Sequence, residues 1–517
     1  MAAIQRSSGW KDRKGVPVNI HVNEKHHRTI LQSIARRVMI ERGLWPDFSD
    51  EALAEIKRIQ MSINKPARDD SNVRDMRNLP WASIDNDDSL DLDQLTVAQT
   101  MPDGKVRIMV AIADVDALVH NGTALDNHAR HNTTSVYTAA RIFPMLPDLL
   151  STNLTSLNLN EGRLALVVAM ELGADGSLLD SSMYRALVCN HAKLAYNNIA
   201  PWLEGSGIVP EAVSSVIGLA ENLLLQDKAA QNLKKLRHAN GALTLETVES
   251  KPVFDGDQIR TLEIEEKNRA KELIEDFMIA ANGVTARYLA ANDFPSIRRV
   301  VRTPKRWERI IEIAWDQHYE LPSEPDSKAL EDFLVQAKAV DPIRFPDLSL
   351  AVIKLLGSGE YVAESSDETA PGHFGLAVKD YAHSTAPNRR YPDLLTQRLL
   401  KAALEGKPCP YSKDELDELA VHCTEAEDAA TKVERRVEKS AAALMLESSL
   451  GETFESIVTG ASEKGTWVRL LTIPVEGKLE EGFEGLDVGD QIRVQLILVD
   501  VQKGFIDFRK INSSRKI

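Results

Sequence analysis

Five aspartates fall within nine residues, Asp85, Asp87, Asp88, Asp91 and Asp93, and this run limits the folds open to the chain. Carboxylates this close repel one another and resist burial unless a cation or a set of donors offsets them. Strand-like apolar segments follow nearby: VRIMVAIA over 106–113 and a second run over 164–172 read as buried strands. The acidic run therefore belongs at the edge of a core and not in a solvated tail. On spacing alone two readings stand, a solvated acidic loop and an oxygen-ligand site for a hard cation such as Mg²⁺. A calcium EF-hand is excluded, because Leu90 stands where its sixth-position glycine is required and Thr96 where its bidentate glutamate is required.

The chain has 517 residues, which suits roughly three domains. Its 43 % hydrophobic and 27 % charged residues exclude a disordered or collagen-like chain. The net charge of −15 means that any nucleic-acid partner must be held in a local basic track or at a metal-offset carboxylate site. Cys189, Cys409 and Cys423 lie far apart with no zinc or redox spacing, and read as reduced thiols. No apolar run approaches the ~20 residues that span a bilayer. The N-terminal stretch MAAIQRSSGWKDRKG lacks a hydrophobic signal core. A cytoplasmic protein without a membrane partner is expected.

Periodicity predicts helices over 27–42, with Ile30, Leu31, Ile34, Ala35 and Val38 on one face, and over 50–61, capped by Ser49 or Asp50. A linker is expected over 66–71, helical pattern over 210–240, and a long amphipathic helix over 262–291 with Leu273, Ile274, Phe277, Met278 and Ala281 inward. Helices are also expected over 392–404 and 413–450. The last ~65 residues break into five short strand-like runs, which suit a small OB-type barrel. Trp467, Arg469, Phe483, Arg493, Lys503 and Arg509 are its candidate single-strand contacts; the competing reading is a barrel whose aromatics fill its own core.

A second segment, Tyr381-Ala-His-Ser-Thr-Ala-Pro-Asn-Arg389-Arg390-Tyr391-Pro392-Asp393, places two arginines at a helix start, where they can grip phosphate. With the acidic run it makes a metal-assisted phosphoryl-transfer site conceivable. Ile84-Asp85-x5-Asp91-x-Asp93 followed by Ala386-Pro-x-Arg389-Arg390-Tyr391-x-Asp393 resembles the catalytic signature of the ribonuclease II and ribonuclease R (RNB) exoribonucleases. Ala111-Ile-Ala-Asp114, Phe143-Pro-Met-Leu-Pro147, Ala192-Lys-Leu-Ala-Tyr196, Glu275-Asp-Phe-Met-Ile-Ala-Ala-Asn282 and Gly372-His-Phe-Gly-Leu376 agree in order.

The resemblance implies an α+β fold. A small, mainly helical N-terminal region that is a candidate RNA-binding module (1–74) precedes an RNB-like catalytic domain (75–448) and an all-β OB barrel (449–517). It implies a 3′-to-5′ exoribonuclease that hydrolyses single-stranded RNA stepwise to nucleoside 5′-monophosphates with Mg²⁺ or Mn²⁺. Asp85, Asp91 and Asp93 match metal-site aspartates, with Asp93 and Arg389 the catalytic pair and Arg389 steadying charge on the phosphate. Tyr137 matches an aromatic that stacks on the terminal nucleotide. Tyr196 and Glu275 match residues that hold the terminal ribose, whose 2′-hydroxyl separates RNA from DNA. Glu434 matches a further sugar-contacting carboxylate, and Arg390 is a candidate phosphate contact. The bland alternatives are core aromatics and solvated helix faces.

Three departures stand out. Gln94 replaces the family's fourth aspartate and brings an amide oxygen without charge, so it is counted as a candidate, weaker metal contact. Leu245 stands where the family often clamps RNA with phenylalanine. The usual pair of N-terminal cold-shock barrels is replaced by ~70 mainly helical residues. The runner-up is a feeble or inactive RNA-binding adaptor. A further candidate is the basic stretch Arg298, Arg299, Arg302, Lys305 and Arg306 with Trp307 interleaved. It reads either as the wall of an RNA funnel or as an ordinary helix start.

Overall fold

A computed structural model describes residues 26–62, 72–247, 250–264, 267–365, 371–462 and 465–511. Its centre is a seven-stranded sheet with the spatial order Val73–Asp75, Leu178–Cys189, Gly162–Leu172, Val106–Ala113, Gln94–Thr100, Ala82–Asp85, Ala192–Ala195. The middle strands are antiparallel, and each edge strand runs parallel to its neighbour. The central strands carry near-continuous apolar runs because both faces are covered. Helix Arg269–Ala291 lays Leu273, Ile274, Phe277, Ala281 and Val284 into the same core as Val110, Ile112 and Val167.

That helix begins later than the periodicity over 262–291 suggests. Asn268 caps it, accepting from the Lys271 N–H at 3.0 Å. Residues 258–264 instead form one strand of a hairpin, Ser250–Asp255 against Gln258–Ile264. Gly256, at φ +58°, supplies the turn, for which a positive φ is required.

Helix His27–Glu41 buries Leu31, Ile34, Ala35, Val38 and Met39 against Ala430, Val433, Val437, Ala441 and Leu444 of the 34-residue helix Lys413–Leu446. A capping box between Ser412 and Glu415 opens that long helix. Helix Asp50–Ser62 is capped by the Ser49 hydroxyl, which accepts from the Ala52 N–H at 3.2 Å. Its buried Glu55 accepts from the Leu125 N–H at 3.1 Å, tying it to the start of helix Ala124–Asn132.

Five C-terminal strands close into a barrel in the order Thr453–Ser462, Gly465–Leu470, Glu476–Glu481, Phe505–Lys510, Gln491–Asp500, the connectivity of an OB fold. Val458, Val468, Leu479, Val494, Leu496 and Phe508 fill it. Of the candidate contacts, Phe483 is exposed. Arg469 instead reaches out of the barrel to Asp347 at 3.2 Å.

The basic stretch at 298–306 is divided between a strand and the start of helix Trp307–Asp316, whose N-cap is Arg306. Ser296–Val300 is a strand. Arg298 is buried and pairs with Glu364 at 3.4 Å. Arg299 pairs with Glu427 and Arg302 with Glu360. Trp307 is buried in a separate helical cluster with Phe333 and Phe345, against which Leu245 also packs. Lys305 and Arg306 are exposed. Among the described residues no helix is long and apolar enough to cross a membrane.

His128 joins the N-terminal segment to the sheet domain. Its ring lies 4.2 Å from that of Phe48 and 5.9 Å from that of Trp45, centroid to centroid. Burial pushes its pKa down to about 4. The unfolded chain therefore binds this proton more readily between about pH 6.5 and 4, and stability falls as pH drops through that window. The expected loss is on the order of 2 kcal/mol. Urea melts followed by Trp fluorescence at pH 7 and pH 4.5 measure it, and His128→Phe flattens that part of the profile.

Candidate active site

The acidic run lies at one end of the sheet. Asp85 is the last residue of strand Ala82–Asp85. Asp93 immediately precedes strand Gln94–Thr100, its carbonyl accepting from the Ala113 N–H at 2.9 Å. The loop between them is fastened by Ser156, whose hydroxyl accepts from the Leu92 N–H at 3.0 Å and donates to the Leu90 carbonyl at 2.8 Å. Arg389 arrives from 296 residues downstream of Asp93 by sequence number. Its backbone is zipped to the 133–135 segment: the Arg389 carbonyl accepts from Ser135 N–H at 2.8 Å, and Tyr391 N–H donates to Thr133 O at 2.7 Å. Pro392 then starts helix Tyr391–Leu404.

These anchors bring the Arg389 guanidinium among three carboxylates. Nη2 donates to Asp85 Oδ2 at 2.9 Å and to the Asp91 carbonyl at 2.9 Å. Nε stands 3.0 Å from Oδ2 of both Asp91 and Asp93. Neither of those two contacts is aligned as a hydrogen bond: Arg389 Nε and Asp93 Oδ2 are buried polar atoms without a hydrogen-bond partner. Asp93 Oδ1 accepts from Asn388 N–H at 3.0 Å. Asp93 is fully buried. Burial pushes its carboxyl up to about 7 against the opposing pull of Arg389. Burial also raises Asp91, again opposed by Arg389.

A cavity of about 440 Å³ opens beside this cluster. Gln94, Tyr137, Arg389, Arg390 and Glu434 all line it. Tyr137 is 42 % exposed. Its hydroxyl donates to Asp91 Oδ2 at 3.2 Å and its backbone N–H donates to Glu434 Oε1 at 2.8 Å. Glu434 is thus no solvated helix face; burial raises its pKa. Arg390 Nη2 donates to Asp393 Oδ1 at 2.8 Å. Tyr196 and Glu275 are not in the lining but are placed close to it along the chain. Asp85 pairs in parallel register with Ala195, so Tyr196 leaves its strand beside Asp85. Glu275 is exposed and one and two turns before Met278 and Asn282, which line the cavity.

The structure adds residues that sequence reasoning left without a role. Tyr381 and Asn282 line the cavity and touch each other, Asn282 Nδ2 to Tyr381 Oη at 3.3 Å. Both stand at ends of quoted motifs, a signal that was there to be used. Glu427 lines the wall seven residues before Glu434 on the same helix, an i, i+7 spacing within an ordinary charged pattern. Asp393 is fully buried and accepts from Ala386 N–H at 2.8 Å as well as from Arg390.

The donors available to a cation are all oxygens, and one of them, Asp93 Oδ2, is buried and unpartnered. That set suits Mg²⁺ or Mn²⁺. As placed, no three His, Cys, Asp or Glu side chains among the described residues converge on a single ion position, and the Arg389 guanidinium contacts all three carboxylates.

Comparison with known proteins bears on the assignment. Residues 73–406 match the RNB domain and residues 452–511 match the RNase II-type exonuclease C-terminal S1 domain. Ribonuclease R of Vibrio parahaemolyticus is 30 % identical over 481 residues, covering 86 % of this chain and 56 % of that protein. Ribonuclease R of Vibrio cholerae is 31 % identical over 484 residues, covering 86 % and 57 %. The chain thus spans little more than half the length of these relatives. Mycoplasma genitalium RNase R in complex with ribose-methylated single-stranded RNA superposes with a TM-score of 0.83 at 22 % identity, over 93 % of this chain and 78 % of that one. With its signature residues gathered beside one cavity and well over half of its length matched by the domain, the chain belongs to the RNB family and carries an S1 domain of the RNase II type over 452–511.

Proposed function

We propose that this chain is a 3′-to-5′ exoribonuclease that hydrolyses single-stranded RNA stepwise to nucleoside 5′-monophosphates with the help of a divalent cation. The observation that carries this reading is the convergence of Asp85, Asp91 and Asp93 with Arg389 at the edge of one cavity. The names of the relatives support an RNA substrate.

Asp85, Asp91 and Asp93 are the residues that would hold Mg²⁺ or Mn²⁺, with the neutral Gln94 beside them. Such an ion supplies Lewis-acid activation of water and charge neutralisation at the phosphate. Arg389 presents a guanidinium to the scissile phosphate and stabilises charge that develops there. Arg390, half-buried and held by Asp393, adds a second phosphate donor. The partly exposed Tyr137 ring offers a stacking face for the terminal base, and Glu434 fixes its backbone. Tyr196, which follows Ala195 beside Asp85, and Glu275, one turn before the lining residue Met278, are assigned to the terminal ribose, whose hydroxyls suit their polar groups. The barrel's exposed Phe483, with the exposed Arg493, Lys503 and Arg509, suits the upstream strand. The three cysteines are free, in keeping with a reducing, cytoplasmic setting.

A 5′-labelled single-stranded RNA incubated with Mg²⁺ or Mn²⁺ tests the reading. The expected pattern is a ladder that shortens from the 3′ end to a small end product, with 5′-monophosphates released. Intact RNA that still shifts on a gel, or internal fragments from the first time point, overturns it. Gln94→Asp adds a charge at the cavity and is expected to tighten Mn²⁺ binding about tenfold. Isothermal titration of the two proteins measures it, and an unchanged affinity shows that position 94 does not face the ion.

A further inference from the structure

Arg389 fills the ground that a cation bound by Asp85, Asp91 and Asp93 would need. Its guanidinium lies 2.9 Å from Asp85 Oδ2 and 3.0 Å from Oδ2 of both Asp91 and Asp93. A divalent ion drawing on those oxygens competes for the same lone pairs and is repelled by the same positive charge. The hold of Arg389 is also incomplete. Its Nε and the Asp93 Oδ2 it faces lack hydrogen bonds altogether, so this contact is weaker than a bidentate fork. The backbone beneath it is fixed separately, by Asn388 N–H on Asp93 and Ala386 N–H on Asp393. The side chain can therefore swing while the loop stays. Its side chain is 25 % exposed and it lines the cavity, so it has somewhere to swing to.

We propose that Arg389 is an exchangeable counter-ion that couples cation loading to the arrival of RNA: a phosphate in the cavity draws the guanidinium off the carboxylates and so frees them for the divalent ion. This rests on the metal-assisted reading above. Cation and RNA then bind with positive cooperativity, and by linkage each raises the affinity for the other by the same factor. Simple bridging of the ion by an RNA phosphate would also give cooperativity, but it predicts nothing for the cation affinity of the protein without RNA. The exchange predicts that removing the guanidinium strengthens cation binding in the absence of RNA, because three carboxylates lose their resident positive charge.

Mn²⁺ binding to the full chain, followed by electron paramagnetic resonance, tests this. The proteins are the wild type, Arg389→Ala, Arg389→Gln and Asp93→Asn, each with and without a single-stranded RNA whose phosphorothioate linkages resist cleavage. Arg389→Gln keeps most of the side-chain volume and an amide donor, which covers the case in which alanine perturbs the fold. The wild type is expected to bind Mn²⁺ about tenfold more tightly with RNA present. Both Arg389 variants are expected to bind Mn²⁺ about tenfold more tightly than the wild type when RNA is absent, and to gain less than about threefold from RNA. Equal RNA-free affinities in the wild type and both variants, or an undiminished RNA effect in the variants, overturns the exchange while leaving the metal site intact. If no Mn²⁺ binds to the wild type at a site that Asp93→Asn removes, the metal-assisted reading itself has failed.

Discussion

Asp93→Asn removes turnover and leaves RNA bound: kcat on a single-stranded RNA is expected to fall by about 10³-fold, with the RNA Kd measured without divalent cation changed by less than about threefold. The asymmetry follows from how Asp93 is held. Its Oδ1 accepts from the Asn388 N–H at 3.0 Å, and an asparagine oxygen can take the same bond. Its Oδ2 lies 3.0 Å from Arg389 Nε, and there the substitution replaces an anionic acceptor by a neutral N–H group. The loss falls on the charge that attracts the cation and poises Arg389, not on the walls of the cavity. Stability should survive, because a fully buried carboxylate is costly and its pKa is already raised to about 7 by burial. Single-turnover kinetics and a gel shift on the same preparation check both halves. Wild-type turnover in the variant would refute the placement of Asp93 at the reacting centre.

Asp393→Ala is the second large effect, and it strikes the fold as well as the reaction. Asp393 has no exposed surface and accepts two hydrogen bonds at 2.8 Å, from Ala386 N–H and from Arg390 Nη2. Truncation leaves the Arg390 guanidinium without its acid, next to the buried rings of Tyr361 and Tyr381. Removing one partner of such a pair costs about 3–5 kcal/mol, read as a lower urea midpoint at unchanged slope. It also unfastens the 386–390 turn that carries Arg389, so kcat falls more than the stability loss alone explains under conditions where the variant is folded. Asp393→Asn keeps an acceptor for Ala386 N–H and should recover part of the stability and part of kcat. Full activity in Asp393→Ala would show that the turn holds Arg389 without it.

Much of this was readable in the chain itself. The aspartate run, the Arg389 turn and the five terminal strands each carry local patterns: repulsive spacing, a proline at a helix start, and apolar alternation between glycines. What the pattern could not convey was pairing at a distance. Arg298 and Arg299 look like a basic track until strand Ser296–Val300 sets them against Glu364 and Glu427. Trp307 looks like a stacking platform until helix packing buries it. The apolar residues near 262 continue a helical period by accident, and the hairpin turn at Gly256 was the local sign against it. Glu434 could not be told from a solvated glutamate because its partner, the Tyr137 N–H, is 297 residues away. Asp393 was visible as a letter in a motif, but its task depends on a turn geometry that one-dimensional spacing does not specify.

The helix Lys413–Leu446 touches three bodies along its length. It meets the N-terminal helix along Ala430, Val433 and Val437, the cavity at Glu427 and Glu434, and the barrel at Ala442, Ala443 and Leu446. From Glu434 to Leu446 is twelve residues by number, or about 18 Å of axial rise. A continuous helix makes that interval stiff, so the molecule carries a built-in ruler. Oligonucleotides too short to bridge it gain only one foothold, whereas longer ones gain both, and affinity should step up at a threshold length instead of climbing evenly with each added residue.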